Sequence, residues 1–174
     1  MPLYEFEGQA PQIDPSAHVH PQAVLIGQVS IAAGCFIGAG AVLRADFGRI
    51  EVGRESNLQE NCVLHQNPGQ AVLIGQGVIV AHGAILHDAV VDDGAFIGMG
   101  SVLLAGARVG ARAMVAAGSL VPAGMEVPPE HLALGNPARV KGPLSPERLA
   151  ATARGLELYK ALPGRCLRGM KLIG

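Results

Sequence analysis

Aromatic side chains are scarce in this chain: four of its 174 residues are Phe, two are Tyr and none is Trp. Large aromatic rings fill much of the interior of an ordinary globular domain. Aliphatic side chains must take that place here, together with 24 Gly. The composition therefore predicts a narrow and repetitive interior.

The chain also lacks an excess of charge and long apolar runs. Its formal net charge is −1, which does not favour binding to nucleic acid or to an anionic membrane surface. No apolar run reaches the ~18 residues of a membrane span, and the segment 1–10 carries Glu5 and Glu7 in place of a signal-peptide pattern. We expect a cytoplasmic protein with no nucleic-acid or membrane partner.

Paired cysteines are absent as well. Cys35, Cys62 and Cys166 are odd in number and form no CxxC motif, which argues against a disulfide framework. We expect Cys35 and Cys62 to be small spacers in the core.

An aliphatic residue returns every six positions between residues 13 and 121. The frame needs three adjustments: three extra residues near 47–49, four near 67–70 and one residue fewer after Leu86. The aliphatic positions are Ile13, Val19, Leu25, Ile31, Ile37, Leu43, Val52, Leu58, Leu64, Ile74, Val80, Leu86, Val91, Ile97, Leu103, Val109, Val115 and Val121. A period of six fits neither an amphipathic helix nor a β-hairpin, and it indicates a β-solenoid.

A second column supports this frame. The residue four positions after each aliphatic one is small at almost every step, for example Ala41, Cys62 and Ala95. With both columns, the sequence resembles the hexapeptide-repeat family. That resemblance implies an all-β solenoid, a left-handed parallel β-helix with three hexapeptides per coil and therefore about six coils.

The repeat stops after Val121, and the remainder predicts a different structure. Residues 126–144 are expected to form an exit loop, in which 135–139 resembles the family's exit segment. Ser145-Pro146-Glu147 is typical of a helix start, so a C-terminal helix packed alongside the solenoid is expected over 145–162. The other predicted boundaries are a lead-in over 1–10, the β-helix domain over 11–125 and a tail over 163–174.

Three of the six histidines hold special places in the frame. His65 and His87 each follow an inward Leu, one full coil apart, so their backbones should lie roughly 4.8 Å from each other. Two nitrogens bound to one tetrahedral Zn²⁺ lie roughly 3.3 Å apart, which leaning side chains can reach. His18, His20 and His131 are expected to be solvated surface residues.

His82 lies on the preceding face and points elsewhere, so one chain cannot easily aim all three rings at one point. A homotrimer resolves this, because the corner of one subunit meets the face of the next and cyclic closure repeats the contact. The frame thus predicts sites shared between subunits, each with a fourth metal position open, as in catalytic zinc sites.

The segments 57–65 and 80–87 resemble the γ-class carbonic anhydrases. That resemblance implies that His65, His82 and His87 bind Zn²⁺, or Fe²⁺ or Co²⁺, across a trimer interface. It further implies that a metal-bound hydroxide hydrates CO₂ to bicarbonate. The small-molecule partner would be CO₂ or bicarbonate, and the enzyme a lyase.

The same resemblance assigns a polar shell. Arg44 and Asp46 match interface ion-pair residues, with the Arg reaching the neighbouring subunit at the position of Glu60, where the family usually has Asp. Gln59 matches a residue that hydrogen-bonds the metal-bound hydroxide, Asn57 matches one close to it, and Tyr159 matches a pocket tyrosine. A structural role for Arg44 and Asp46, and a packing role for Tyr159, stay open.

The chain departs from the best-studied carbonic anhydrases of this class at its insertions, which contain no Glu to act as a proton shuttle. Low turnover is therefore expected. Other functions stay open. One is an acyltransferase that uses an acyl-CoA, with one His as base and no metal, and another is a metal-containing binding or assembly protein without catalysis. Thioester cleavage by the same metal hydroxide is a further alternative.

Overall fold

A computed structural model describes residues 2–174 as a parallel β-solenoid of about seven turns followed by C-terminal helices. The helices are α1 (Pro146–Lys160) and α2 (Leu162–Gly169). The strands, in chain order, are β1 (Leu3–Tyr4), β2 (Gln12–Ile13), β3 (His18–Val19), β4 (Val24–Ile31), β5 (Phe36–Ile37), β6 (Val42–Val52), β7 (Asn57–Leu58), β8 (Val63–His65), β9 (Ala71–Ile74), β10 (Ile79–Val80), β11 (Ile85–His87), β12 (Val90–Val91), β13 (Phe96–Ile97), β14 (Val102–Leu103), β15 (Arg108–Val109), β16 (Met114–Val115), β17 (Leu120–Val121), β18 (Glu126–Val127), β19 (His131–Gly135) and β20 (Ala138–Pro143).

The strands stack in three columns, which we call faces A, B and C. Face A contains β1, β8, β11, β14, β17 and the first halves of β4 and β6; face B contains β2, β9, β12, β15, β18 and the second halves of β4 and β6. Face C runs from β3 through β5, β7, β10, β13 and β16 to β19. All these pairings are parallel, whereas β20 pairs with β19 in antiparallel fashion.

The core follows the aliphatic frame predicted from the sequence. The period-six side chains lie inside the solenoid, and only Ile13 and Val19, at its N-terminal end, are partly exposed. Cys35 and Cys62 are buried spacers, as the frame predicts, and burial raises the pKa of each thiol to about 11. Aliphatic and small side chains thus suffice where aromatic ones are scarce.

The solenoid is longer than the frame predicted, with about seven turns in place of six. Val127 continues the inward column of face B, and Ala133 continues that of face C. The sequence predicts an exit loop over these residues because the aliphatic repeat stops after Val121 and prolines follow it. Pro122, Pro128 and Pro129 lie between strands, where their missing N–H removes no ladder hydrogen bond.

The largest insertions are tied to the solenoid wall. The fully buried Gln66 amide, in the orientation that satisfies both of its ends, donates to the Arg44 carbonyl at 3.1 Å and accepts from the Gly48 N–H at 3.0 Å. One position of the second column needs a correction. The residue four positions after Leu86 is Val90, which is half-buried, and its neighbour Ala89 is the buried spacer.

The C-terminal helices close over one end of face C. The Ser145 side chain accepts the Arg148 N–H at 3.3 Å, which caps α1 as predicted. Pro163 does not end the helical region; it lies in the first turn of α2, where a proline costs no hydrogen bond. Helix α2 contacts β3. Within residues 2–174 no helix is long and apolar enough to cross a membrane.

Candidate functional site

Arg44, His65 and His87 form one vertical column at the edge of face A. The register pairs Arg44 with His65 and His65 with His87, on adjacent turns. His65 Nδ1 lies 3.3 Å from His87 Nε2. The repeat frame predicts this stacking, and the separation is close to the roughly 3.3 Å between two nitrogens bound to one tetrahedral Zn²⁺.

Asp46 holds this column from the side. Its carboxylate accepts from Arg44 Nη1 at 2.6 Å and lies 3.2 Å from His65 Nε2. Burial raises the pKa of the Asp46 carboxyl, but its own backbone N–H and the Arg44 guanidinium outweigh burial, and the pKa is lowered overall. In the single chain Arg44 therefore pairs with Asp46, whereas the family pattern had suggested Glu60 of a neighbouring subunit.

Asp88 is a buried residue of this region that sequence reasoning missed. It accepts from the Asn67 backbone N–H at 2.7 Å and from Asn67 Nδ2 at 2.5 Å, and it lies 3.5 Å from His87 Nδ1. Asp88 thereby fixes both the 67–70 insertion and the His87 ring. A signal was present in the sequence, because an Asp directly follows His87.

His82 lies on a different corner and has a different partner. Its Nδ1 lies 2.6 Å from a Glu60 carboxylate oxygen, and both side chains remain nearly half exposed. A carboxylate only accepts hydrogen bonds, so Nδ1 carries the proton in neutral His82 and Nε2 keeps its lone pair. The repeat frame contained this contact, since Glu60 and His82 each lie two residues after paired inward residues, Leu58 and Val80.

Buried polar groups stand next to the His82–Glu60 pair. Gln59 is 4% exposed and Asn57 is 1% exposed, and Gln59 Nε2 donates to Asn57 Oδ1 at 3.1 Å. The Asn57 Nδ2 has no hydrogen-bond partner among residues 2–174. Such an unpaired buried donor costs stability unless something binds it.

Tyr159 reaches the same cluster from α1. Its ring centroid lies 6.2 Å from that of Phe36 on face C. Burial, followed by the negative charge of Glu60, raises the pKa of the Tyr159 hydroxyl. The hydroxyl is therefore neutral near pH 7 and is a hydrogen-bond donor.

The single chain thus contains two separate clusters: the His65–His87 column with Arg44 and Asp46, and the His82–Glu60 pair with Asn57, Gln59 and Tyr159. No group of three or more His, Cys, Asp or Glu side chains that could hold a metal ion is found between residues 2 and 174. Within one chain, His82 therefore does not come together with His65 and His87.

Two solved structures cover almost the whole chain. A hexapeptide transferase family protein from Anaplasma phagocytophilum is 34% identical, with a TM-score of 0.90 over 94% of this chain and 96% of that one. The chain belongs to the hexapeptide-repeat family. The predicted left-handed parallel β-helix is thereby confirmed.

A second member of the hexapeptide-repeat family is a putative acetyltransferase from Bacillus cereus. It is 33% identical, with a TM-score of 0.90 over 92% of this chain and 94% of that one. Curated relatives include the carnitine operon protein CaiE of Proteus sp., 52% identical over 65 residues. That stretch is 37% of this chain and about a third, 33%, of the CaiE chain. No protein-family model matches.

The predicted hydration of CO₂ by a metal-bound hydroxide is wrong. The relatives are CaiE proteins and hexapeptide transferases, which support the acyltransferase alternative. The description of the chain as a lyase of the carbonic anhydrase kind is wrong for the same reason. One fold carries many chemistries, and a three-histidine motif alone does not distinguish among them.

The structure also corrects one surface prediction. His18, expected to be solvated, is only 7% exposed, because it stacks on Phe36 with ring centroids 5.7 Å apart and α2 lies over its strand. Helix packing over face C is not encoded in the period of six, so the sequence frame could not predict this burial.

Proposed function

We propose that this chain is an acyltransferase that moves an acyl group from an acyl-CoA to a hydroxyl or amine acceptor, with His82 as general base. The observation that carries this proposal is the His82–Glu60 pair, 2.6 Å apart, in which the His82 side chain is 48% exposed and Nε2 makes no hydrogen bond to residues 2–174. A base oriented through one ring nitrogen by a carboxylate keeps the other nitrogen available for proton transfer.

In the proposed reaction, His82 Nε2 removes the proton from the acceptor as its oxygen or nitrogen attacks the thioester carbonyl. A new ester or amide bond forms, and the carbon–sulfur bond breaks. The CoA thiolate leaves and takes the proton back from the His82 imidazolium. Glu60 stabilises that imidazolium and fixes its orientation, so it is a positioning residue.

The histidines of the other cluster suit this role less well. His65 has both ring nitrogens in contact with protein atoms, of Asp46 and His87, and His87 stands between His65 and Asp88. Each ring has a structural partner on both sides. His82 alone among the three combines a carboxylate partner with a nitrogen that faces no protein partner.

The polar groups around His82 have roles that follow from their chemistry. The neutral Tyr159 hydroxyl is a donor for the developing oxyanion or for the acceptor. Gln59 and Asn57 are buried and hydrogen-bonded to each other beside the His82–Glu60 pair. We therefore assign Tyr159 to substrate contact and Asn57 and Gln59 to positioning.

Proteins of the hexapeptide-repeat family commonly form trimers, and we propose a homotrimer here. The residues that point outward from face A are aliphatic along its length and are not fully covered by the chain itself; they are Val24, Val42, Val63, Ile85, Val102 and Leu120. Such a stripe is typical of a surface that a second copy covers.

The test is release of CoA from acetyl-CoA by the purified protein with a panel of amine and hydroxyl acceptors. We expect His82→Gln to lower kcat about 10²–10⁴-fold, the range for loss of a general base. Glu60→Gln should lower it less, because the base remains but is oriented less well.

His20→Gln is the matched control, since it removes a half-buried imidazole from another turn. Equal activity in His82→Gln and the unaltered protein would contradict the proposal. So would acetyl-CoA hydrolysis that no acceptor accelerates, which would point to thioesterase activity at the same site.

Metal binding by the histidines is a separate prediction from acyl transfer. His65 and His87 fit two positions on one ion, since their facing nitrogens lie 3.3 Å apart, but completing the site needs His82 of another copy. The finer resemblance to γ-class carbonic anhydrases supports Zn²⁺ here, with Fe²⁺ or Co²⁺ as alternatives, and we infer no activity from it. A metal bound to His82 Nε2 would also prevent that nitrogen from acting as a base.

A further inference from the structure

A groove of about 590 Å³ lies between β3 and the C-terminal end of the chain, apart from the His82 cluster. Strands β5 and β7 separate β3 from β10, the strand that precedes His82. The volume is in the range of small-molecule sites, about 300–1,000 Å³. The acyl-transfer reaction proposed above does not use this groove.

His18 forms part of the floor of the groove and has an unsatisfied polar atom. The side chain is only 7% exposed, and its Nε2 has no hydrogen-bond partner among the described residues 2–174. Burial, with a smaller contribution from His20, lowers the pKa of the imidazole. His18 is therefore a neutral group that still has one hydrogen bond to make.

The walls of the groove are apolar. Leu167 and Met170, on and just after α2, remain 56% and 49% exposed, and Val19 lies opposite on β3. An amphipathic helix normally buries such side chains against its own protein. Here they border open space, which suits the hydrocarbon part of a ligand.

The groove has a positive charge at its rim. Lys171 lies there, and no Asp or Glu is among the residues that line the groove. A cationic rim over apolar walls complements a molecule with a hydrocarbon body and one anionic end.

We propose that this groove binds a medium-chain aliphatic carboxylate. The hydrocarbon chain lies against Val19, Leu167 and Met170. The carboxylate, which is the only polar group of the ligand, pairs with Lys171 and accepts a hydrogen bond from His18 Nε2. The proposal goes beyond acyl transfer and does not depend on it, because the groove needs neither His82 nor CoA.

Titration calorimetry of the full chain with decanoate, without CoA, tests the proposal. We expect Lys171→Met to weaken binding about fivefold, the upper size of an exposed ion pair. His18→Phe, which keeps a ring against Phe36, should weaken it by a similar factor, about fivefold. Decanol, which lacks the charge, should bind the unaltered chain about as weakly as decanoate binds Lys171→Met.

Lys141→Met is the matched control, since it removes an exposed cation from β20, and it should leave the affinity unchanged. Leu167→Asp, at an exposed position that tolerates a charge, should abolish binding. No decanoate binding to the unaltered chain would overturn the proposal, and so would equal affinities in Lys171→Met, Leu167→Asp and the control. These outcomes are independent of the acyl-transfer assay.

Discussion

At the residue scale, Asp46 shows how one carboxylate couples the stability of the column to pH. Its pKa in the folded protein lies below the ordinary value of 3.8. A group with a depressed folded pKa adds stability above its unfolded pKa, and that stability is lost as the pH falls through the folded pKa. The contribution is therefore complete near pH 7 and vanishes in strong acid.

We expect Asp46→Asn to lower the free energy of unfolding by about 1 kcal/mol near pH 7 and to have no effect below the folded pKa. Denaturant unfolding of both proteins across the acidic range measures this. Glu51→Gln is the control, because Glu51 is 54% exposed and pairs only with the exposed Arg49. If the loss of unfolding free energy in Asp46→Asn did not change with pH, the effect would come from the altered shape of the side chain and not from its lost charge.

Glu60 has a different partner in the structure from the one that the family resemblance implies. The family resemblance made it an interface partner for Arg44, whereas the chain pairs it with His82. The register that brings the two together was readable in the repeat, because both follow paired inward residues by two positions. What the repeat could not supply was Tyr159, which α1 brings to the pair across face C.

At the scale of the elements, the turns of the solenoid depend on close contact between successive coils. A Cβ built on Gly98 would lie 2.7 Å from the Val115 carbonyl oxygen and 2.7 Å from the Ala116 carbonyl carbon. Neither atom can move without opening the ladder between β13 and β16. Gly118, by contrast, has φ of +67° and nothing within 4 Å of a built Cβ.

We expect Gly98→Ala to lower the free energy of unfolding by about 3 kcal/mol, the upper end of the cost of overpacking. Gly118→Ala should cost about 1–2 kcal/mol, because only the left-handed backbone conformation is strained. Urea unfolding of the two variants compares the cost of a steric clash, at Gly98, with the cost of a strained backbone conformation, at Gly118. An equal cost in both would mean that coil-to-coil contact at Gly98 is not tight.

The solenoid extends further than its side-chain pattern predicts. The aliphatic period stops being regular after Val121, yet β18 and β19 continue the stack. Hydrogen bonding to the preceding coil satisfies their backbone groups, and β20 then pairs with β19 in antiparallel fashion. Backbone pairing extends the fold beyond the point where side-chain patterning can predict it.

At the scale of the whole molecule, the metal prediction concerns the trimer and not the chain. A metal ion and a general base exclude each other at His82 Nε2, so metal content decides between them. If the trimer binds the metal, the protein purified without chelator contains about one ion per chain and His87→Ala contains almost none; if His82 is the base, both proteins are metal-free. Elemental analysis of the two proteins measures this. A protein that stays metal-free in equimolar Zn²⁺ would contradict the prediction and leave His82 available as the base.

Mixing two metal-free variants tests whether the site is shared. A His82→Ala chain and a His65→Ala chain have complementary defects, so mixed trimers contain some intact sites if the ligands come from different chains. Chains each altered at both His65 and His82 are the control, since no mixture of them restores a site. Failure of every mixture to bind metal would exclude sharing.

The sequence by itself determined the solenoid, the inward aliphatic columns and the stacking of His65 on His87. These follow from a period of six, and a short period fixes which residues meet on adjacent coils. The tertiary structure alone decided the burial of His18, the approach of Tyr159 to Glu60 and the strands after residue 125. Those features depend on where helices and the terminal hairpin dock, and such long-range packing leaves no periodic mark in the sequence.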